Sequence, residues 1–287
     1  MFALYEQTAQ QCSQLITRAY STSFSLGIRT LGKEYRQAIY AIYGMVRYAD
    51  EIVDTFHTYD KQYLLDKFRA DTFEAIKQGI SLNPILHSFQ WAVNKYSIPD
   101  HLTQAFFDSM AMDLDGKHYN ADSYQQYIYG SAEVVGLMCL CVFTNGDQSM
   151  YNRLEQSARA LGAAFQKVNF LRDMESDFSE RGRVYFPGVN FDSFGSEAKK
   201  IIEEDIAADF RTAYIGIMQL PFGARAGVLL AYKYYLRLFE KIKGIHAAEI
   251  KKNRVRVPDA QKLTLLLQTL LQQHLHALLP MPANKVA

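Results

Sequence analysis

The chain has 287 residues, 49% of them apolar and 13% aromatic, with 16 glycines and 7 prolines; it can bury a large core and is neither disordered nor collagen-like. Its formal charge of +1 leaves no global field to draw it onto nucleic acid, so any charge chemistry must be local. Cys12, Cys139 and Cys141 are odd in number and lack zinc-ligand spacing, which argues against a disulfide framework or structural metal and suits a reducing cytoplasmic setting.

The N-terminal MFALYEQTAQQ has no basic run followed by an apolar stretch, so no secretory signal is expected. Apolar residues recur at three- and four-residue intervals over 5–20, 35–56, 63–78 and 83–96, predicting four helices. Gly32, Tyr59 with Asp60, Asn83-Pro84 and Ile98-Pro99 supply the breaks. Helical patterning resumes after Asp100 and covers 122–143, 150–177, 196–218 and 224–242, with a last helix from about Pro258 to Leu279. Between Leu263 and Leu279 that helix is apolar but interrupted by Gln268, Gln272, Gln273, His274 and His276, too short and polar to span a bilayer. The stretch Phe178 to Phe194, rich in glycine and aromatics and lacking a helical period, reads as a loop. Scarce glycine and proline and the absence of a linker or repeat predict an all-α fold, one domain over residues 1–287.

Within YAIYGMVRYADEIVD, residues Tyr43, Arg47, Asp50, Glu51 and Asp54 fall at relative positions 0, 4, 7, 8 and 11, which places them on one helix face. Asp50 and Asp54 would stand roughly 5–6 Å apart at Cβ, and at an effective dielectric near 20 their repulsion is on the order of 3 kcal/mol. A magnesium ion bridging carboxylate and phosphate oxygens would offset that repulsion. Taken singly, the same pattern reads more readily as a solvated acidic helix face.

A second stripe follows in LGAAFQKVNFLRDMESD. Gly162, Gln166, Asn169, Asp173 and Asp177 come at steps of 4, 3, 4 and 4, all within about 80° of one another on a helix. Asn169, Asp173 and Asp177 offer neutral and anionic oxygens on successive turns, a set suited to hard cations. Arg172 lies beside them with a planar fork that fits phosphate. Gly162 leaves either room for a ligand or room for a neighbouring helix. Two such faces in one chain of little net charge favour a metal–diphosphate site over surface decoration.

The chain resembles the squalene and phytoene synthases, which join two prenyl diphosphates head to head. The resemblance rests on YSTSF (Tyr20 to Phe24), YGMVRYADEIVD (Tyr43 to Asp54), YIYGSAEVVG (Tyr127 to Gly136), GAAFQKVNFLRDMESD (Gly162 to Asp177), GRVYFP (Gly182 to Pro187) and NRVRVP (Asn253 to Pro258). It implies an isoprenoid-synthase helical bundle with a central prenyl-diphosphate cavity. It also implies magnesium, or manganese, held by Asp50, Asp54, Asn169, Asp173 and Asp177. Ser21, Ser23, Tyr43, Arg47, Gln166 and Arg172 would contact the diphosphate or its surroundings, and Tyr127, Tyr185, Tyr235 and Arg254 would surround the reacting centre. The family often has Asp where this chain has Glu51, so Glu51 is not carried over as a ligand.

The blocks STSFSLGIR, ADEIVD and KVNFLRD look most like bacterial 15-cis-phytoene synthases, which use two geranylgeranyl diphosphates and release phytoene without reduction; NADPH is therefore not expected. Dehydrosqualene or squalene synthesis from farnesyl diphosphate is the alternative, and a non-catalytic helical scaffold the remote one. A cytoplasmic protein with peripheral membrane contact for product release is expected. Lys251, Lys252, Arg254 and Arg256 suit either a phosphate or lipid-surface contact or an ordinary basic loop. Cys139 and Cys141 are expected in the core.

Overall fold

Helices carry almost every segment for which the sequence shows a 3.6-residue period. A computed structural model describes residues 1–114, 119–181, 185–189, 194–250, 255, 264–266 and 268–269, and among these there is no strand. The helices are α1 (Phe2–Tyr20), α2 (Thr22–Thr30), α3 (Lys33–Asp54), α4 (Lys61–Gln78), α5 (Pro84–Tyr96), α6 (Asp100–Leu114), α7 (Ala121–Ile128), α8 (Val134–Thr144), α9 (Gln148–Arg181), α10 (Ser196–Ile217), α11 (Phe222–Lys243) and α12 (Ala247–Ile250).

Local chemistry sets several boundaries. The Asp60 side chain accepts from Tyr63 N at the start of α4, which ends at Gly79 with φ of +69°. Asn83 caps α5 ahead of Pro84 in its first turn. The nine-residue α2 is absent from the periodicity reading because so short a stretch shows no clear period. It starts where Ser21, extended at φ −146°, accepts from Phe24 N at 3.2 Å. The loop expected from Phe178 begins later: α9 continues to Arg181, since neither glycine nor proline occurs between Phe178 and Gly182. The predicted last helix lies largely outside the described residues, as do Lys251, Lys252, Arg254 and Arg256.

A π-helical turn, Tyr129–Glu133, joins α7 to α8 without a break. Residues Ala121–Thr144, which contain an 18-residue window of mean hydropathy 1.5, are the one described stretch long and apolar enough to cross a membrane by length and composition. Here they pack against α3, α6 and α9 as an interior helix of the bundle.

Two apolar clusters form the core. One, from α2 to α6 and α8, is centred on Met45, Phe89, Phe106 and Phe107; the other, from α7 and α9 to α11, on Val168, Leu171, Phe210 and Phe239. Val228 on α11 packs against both. Residues of both clusters, among them Ile28, Ile42 and Leu140 from the first and Phe170, Ile217 and Tyr235 from the second, wall one cavity of about 890 Å³. Helix α2 closes one side by lying on α11, where a Cβ on Gly227 would sit 2.4 Å from Leu31 Cδ2 and 2.6 Å from the Gly27 carbonyl oxygen.

Candidate active site

Helices α3 and α9 turn their polar stripes to this same cavity. Tyr43, Arg47, Asp50 and Asp54 line it from α3, and Gln166, Asn169, Arg172, Asp173, Ser176 and Asp177 line it from α9. Tyr235 of α11 links the two faces: its hydroxyl donates to Asn169 Oδ1 at 3.3 Å, while Phe24 sets its ring 5.7 Å from Tyr43 and 6.2 Å from Tyr235.

The cationic groups are held by neighbouring acids. Arg47 pairs with Glu51, lies 3.9 Å from Asp50 and stacks its guanidinium over the Tyr20 ring at 4.5 Å. Glu51 is thus the partner of Arg47. The Arg172 Nε donates to Asp173 Oδ1 at 2.9 Å. Burial works to lower the Arg172 guanidinium, but the bond and charge of Asp173 outweigh it and hold the group above its usual range.

The donor set fits a hard divalent cation. Burial, opposed by Arg47 and reinforced by Asp54, Asp113 and Glu51, pushes the Asp50 carboxyl up to about 7, so its charged form is short of the solvation that a bound cation would supply. Among the described residues no three His, Cys, Asp or Glu side chains converge to hold a metal unaided. An ion at Asp50, Asp54, Asn169, Asp173 and Asp177 would therefore complete its shell with water and phosphate oxygens, as magnesium prefers.

Away from the acids the wall is aromatic. Phe170 stacks on Tyr185 at 4.0 Å and 10°, with Tyr127 5.3 Å from Tyr185, and Phe165 stacks on Tyr235 at 3.9 Å and 17°. Burial raises the hydroxyls of Tyr127 and Tyr235 and pushes Tyr43 up to about 12, so all three are neutral phenols near neutral pH.

Other expectations fare differently. Ser21 caps α2 and its side chain acts to lower the Tyr43 hydroxyl against the effect of burial, but neither it nor Ser23 lines the cavity. Arg254 lies outside the described residues. Cys141 is buried as expected, whereas Cys139 faces the cavity. Gly162 borders the cavity but is required by packing, since a Cβ there would fall 2.5 Å from the Ala132 carbonyl oxygen of the π-turn. Asp113, Phe165 and Phe170, absent from the sequence-based candidates, line the cavity too. Asp113 had a legible signal: with Phe106 and Met110 it continues the buried i, i+4, i+7 stripe of α6, where an apolar residue belongs.

A family model described as squalene/phytoene synthase matches residues 17–261. The phytoene synthase of Arthrospira platensis is 35% identical over 191 residues, 61% of this chain and 60% of that protein, so the alignment spans about three fifths of that relative. The 15-cis-phytoene synthase of a Paracoccus species is 26% identical over 267 residues, 86% of each chain. In fold, the chain is similar to a dehydrosqualene synthase crystallised in complex with ligand, with a TM-score of 0.80 over 96% of this chain and 99% of that one at 19% identity. A helical bundle with no strand among the described residues, whose cavity is walled by two polar helix faces and by aromatics, is an isoprenoid-synthase fold. The chain belongs to the squalene/phytoene synthase family.

Proposed function

We propose that the protein, acting as a single domain, is a prenyltransferase that condenses two geranylgeranyl diphosphates head to head into phytoene, by way of a cyclopropylcarbinyl diphosphate, in carotenoid biosynthesis. The observation that carries this is the meeting of both polar faces, from α3 and α9, on the wall of one cavity whose remaining lining is mostly apolar and aromatic. At about 890 Å³ the cavity is near the upper end of the roughly 300–1,000 Å³ common for small-molecule sites, in keeping with long apolar substrates. The phytoene synthase relatives support the product.

Magnesium bound by Asp50, Asp54, Asn169, Asp173 and Asp177 would neutralise the diphosphate and make it a better leaving group. Arg47 and Arg172 add fixed positive charge, which they can turn to the substrate by exchanging Glu51 and Asp173 for diphosphate oxygens. As the C–O bond of one allylic diphosphate breaks, its electron pair leaves with the diphosphate. The double bond of the second molecule attacks the resulting cation, and loss of a proton closes the cyclopropane. The ring faces of Tyr127, Phe170, Tyr185 and Tyr235 offer their quadrupoles to the passing positive charge. Ile28, Ile42, Val135 and Leu140 keep the rest of the wall apolar, which protects the cation from capture by water. We place the reaction in the cytoplasm, with peripheral contact at a membrane where so apolar a product leaves.

Incubating the purified protein with magnesium and either geranylgeranyl or farnesyl diphosphate, with and without NADPH, tests this. Phytoene from the C20 substrate, unaffected by NADPH, is the expected result. Formation of a C30 hydrocarbon alone would overturn the assignment of chain length, and no hydrocarbon from either substrate would overturn the activity.

A further inference from the structure

Asp113 is a carboxylate on an apolar stripe, 5% exposed, on the wall of the cavity. Two phenols face it: Tyr127 donates to Oδ2 at 2.7 Å and Tyr119 donates to Oδ1 at 3.2 Å. Of these three residues, Asp113 and Tyr127 line the cavity, and Tyr119 does not. Tyr119 therefore holds the carboxylate from outside the cavity lining, while Tyr127, bonded to the other carboxylate oxygen, borders the cavity beside Asp113. The rings are held as well: Tyr119 is 5.0 Å from Tyr127, and both stack on Tyr185 at 5.2 and 5.3 Å.

A carboxylate taken out of water costs several kcal/mol unless hydrogen bonds satisfy it. A latch between α6 and the helix that follows would need only an acceptor of the right shape, which a neutral amide supplies. A carboxylate differs from that amide in its negative charge and in its capacity to take a proton. Because Tyr127 spends its hydroxyl hydrogen on Asp113, its oxygen offers lone pairs to other partners.

We propose that Asp113 is a positioning residue for Tyr127 and the terminal proton acceptor of a two-membered relay that serves ring closure. This rests on the head-to-head condensation proposed above. In the step, a C–H bond beside the cationic centre breaks and its electron pair forms the last C–C bond of the cyclopropane. The proton bonds to the Tyr127 oxygen as the original hydroxyl proton passes to Asp113 Oδ2. Tyr127 ends as a neutral phenol, Asp113 as a carboxylic acid, and the proton returns to water after the diphosphate leaves. The buried tyrosine never carries a full negative charge, which suits a hydroxyl whose ionisation burial and Asp113 both oppose.

Asp113→Asn keeps the shape and an oxygen acceptor but cannot take the proton. In single-turnover experiments with geranylgeranyl diphosphate and magnesium, the relay predicts that formation of the cyclopropylcarbinyl diphosphate slows by about 100-fold or more. Affinity for inorganic diphosphate with magnesium, measured by calorimetry, should stay within about threefold of the parent, a factor worth under 1 kcal/mol. Combining Asp113→Asn with Tyr127→Phe should cost little more than either change alone, as expected of residues acting as one unit. A single-turnover rate for Asp113→Asn within a few fold of the parent would reduce Asp113 to a structural latch and overturn the relay. Loss of magnesium-dependent diphosphate binding would overturn it in favour of a direct part in holding the metal. If the parent itself forms no head-to-head product, the underlying function fails, and that outcome is read on the parent alone.

Discussion

Arg172 holds the carboxylate of its own chain neighbour, Asp173, with Nε 2.9 Å from Oδ1 and a second contact from the guanidinium tip. Both side chains are less than one fifth exposed, and both point to the cavity that the two polar helix faces share. The pair is a closed form of the site in which one group suited to phosphate and one suited to a cation satisfy each other. Under the proposed function, binding of a diphosphate with magnesium would exchange this internal bond for two external ones.

That exchange makes the two partners unequal under mutation. Arg172→Lys gives up the planar fork, and losing one charge-assisted hydrogen bond of roughly 1.5–3 kcal/mol weakens diphosphate about 10- to 100-fold. Asp173→Asn removes a negative oxygen from the donor set and should lower turnover on the order of 1,000-fold. Calorimetric titration of diphosphate with magnesium, alongside steady-state rates, separates the two effects.

Asp50 predicts a pH dependence in protein stripped of metal. Its folded-state value near 7 lies above its ordinary 3.8, so the folded state binds this proton more tightly than the unfolded state. The stabilising effect of that proton is fully present below about pH 4 and is lost as pH rises through 7. Because a third of the side chain faces the cavity, screening reduces the effect to about 1–2 kcal/mol. Asp50→Asn should therefore raise the melting temperature at pH 8 in EDTA by about 2–6 °C, change it far less at pH 4, and nearly abolish turnover. A parent protein whose melting point at pH 8 equals that of the variant would contradict this.

Gly162→Ala tests how closely α9 must approach the π-turn. The added Cβ would lie 2.5 Å from the Ala132 carbonyl oxygen and 3.0 Å from Glu133 Cα, backbone atoms that cannot swing aside. Overpacking of this kind costs about 1–3 kcal/mol. Since α9 also carries Gln166, Asn169 and Asp173, turnover should fall together with stability. Urea unfolding and rate measurements on the same variant check both.

The two acidic faces were legible because facing on a helix is a local property: with 100° between successive residues, the spacing of Asp50 and Asp54, or of Asn169, Asp173 and Asp177, places them on one side without reference to any neighbour. The same holds for the period of α3, α9 and α10. Contacts between helices obey no such rule. That Tyr235 reaches Asn169 and stacks on Phe165, and that Gly162 admits a backbone carbonyl, depend on how distant segments cross. Asp113 shows the boundary between the two kinds of information. Its place on an apolar stripe is visible in the order of residues, but its meaning comes from Tyr119 and Tyr127, because a buried charge is explained only by the groups that packing brings to it.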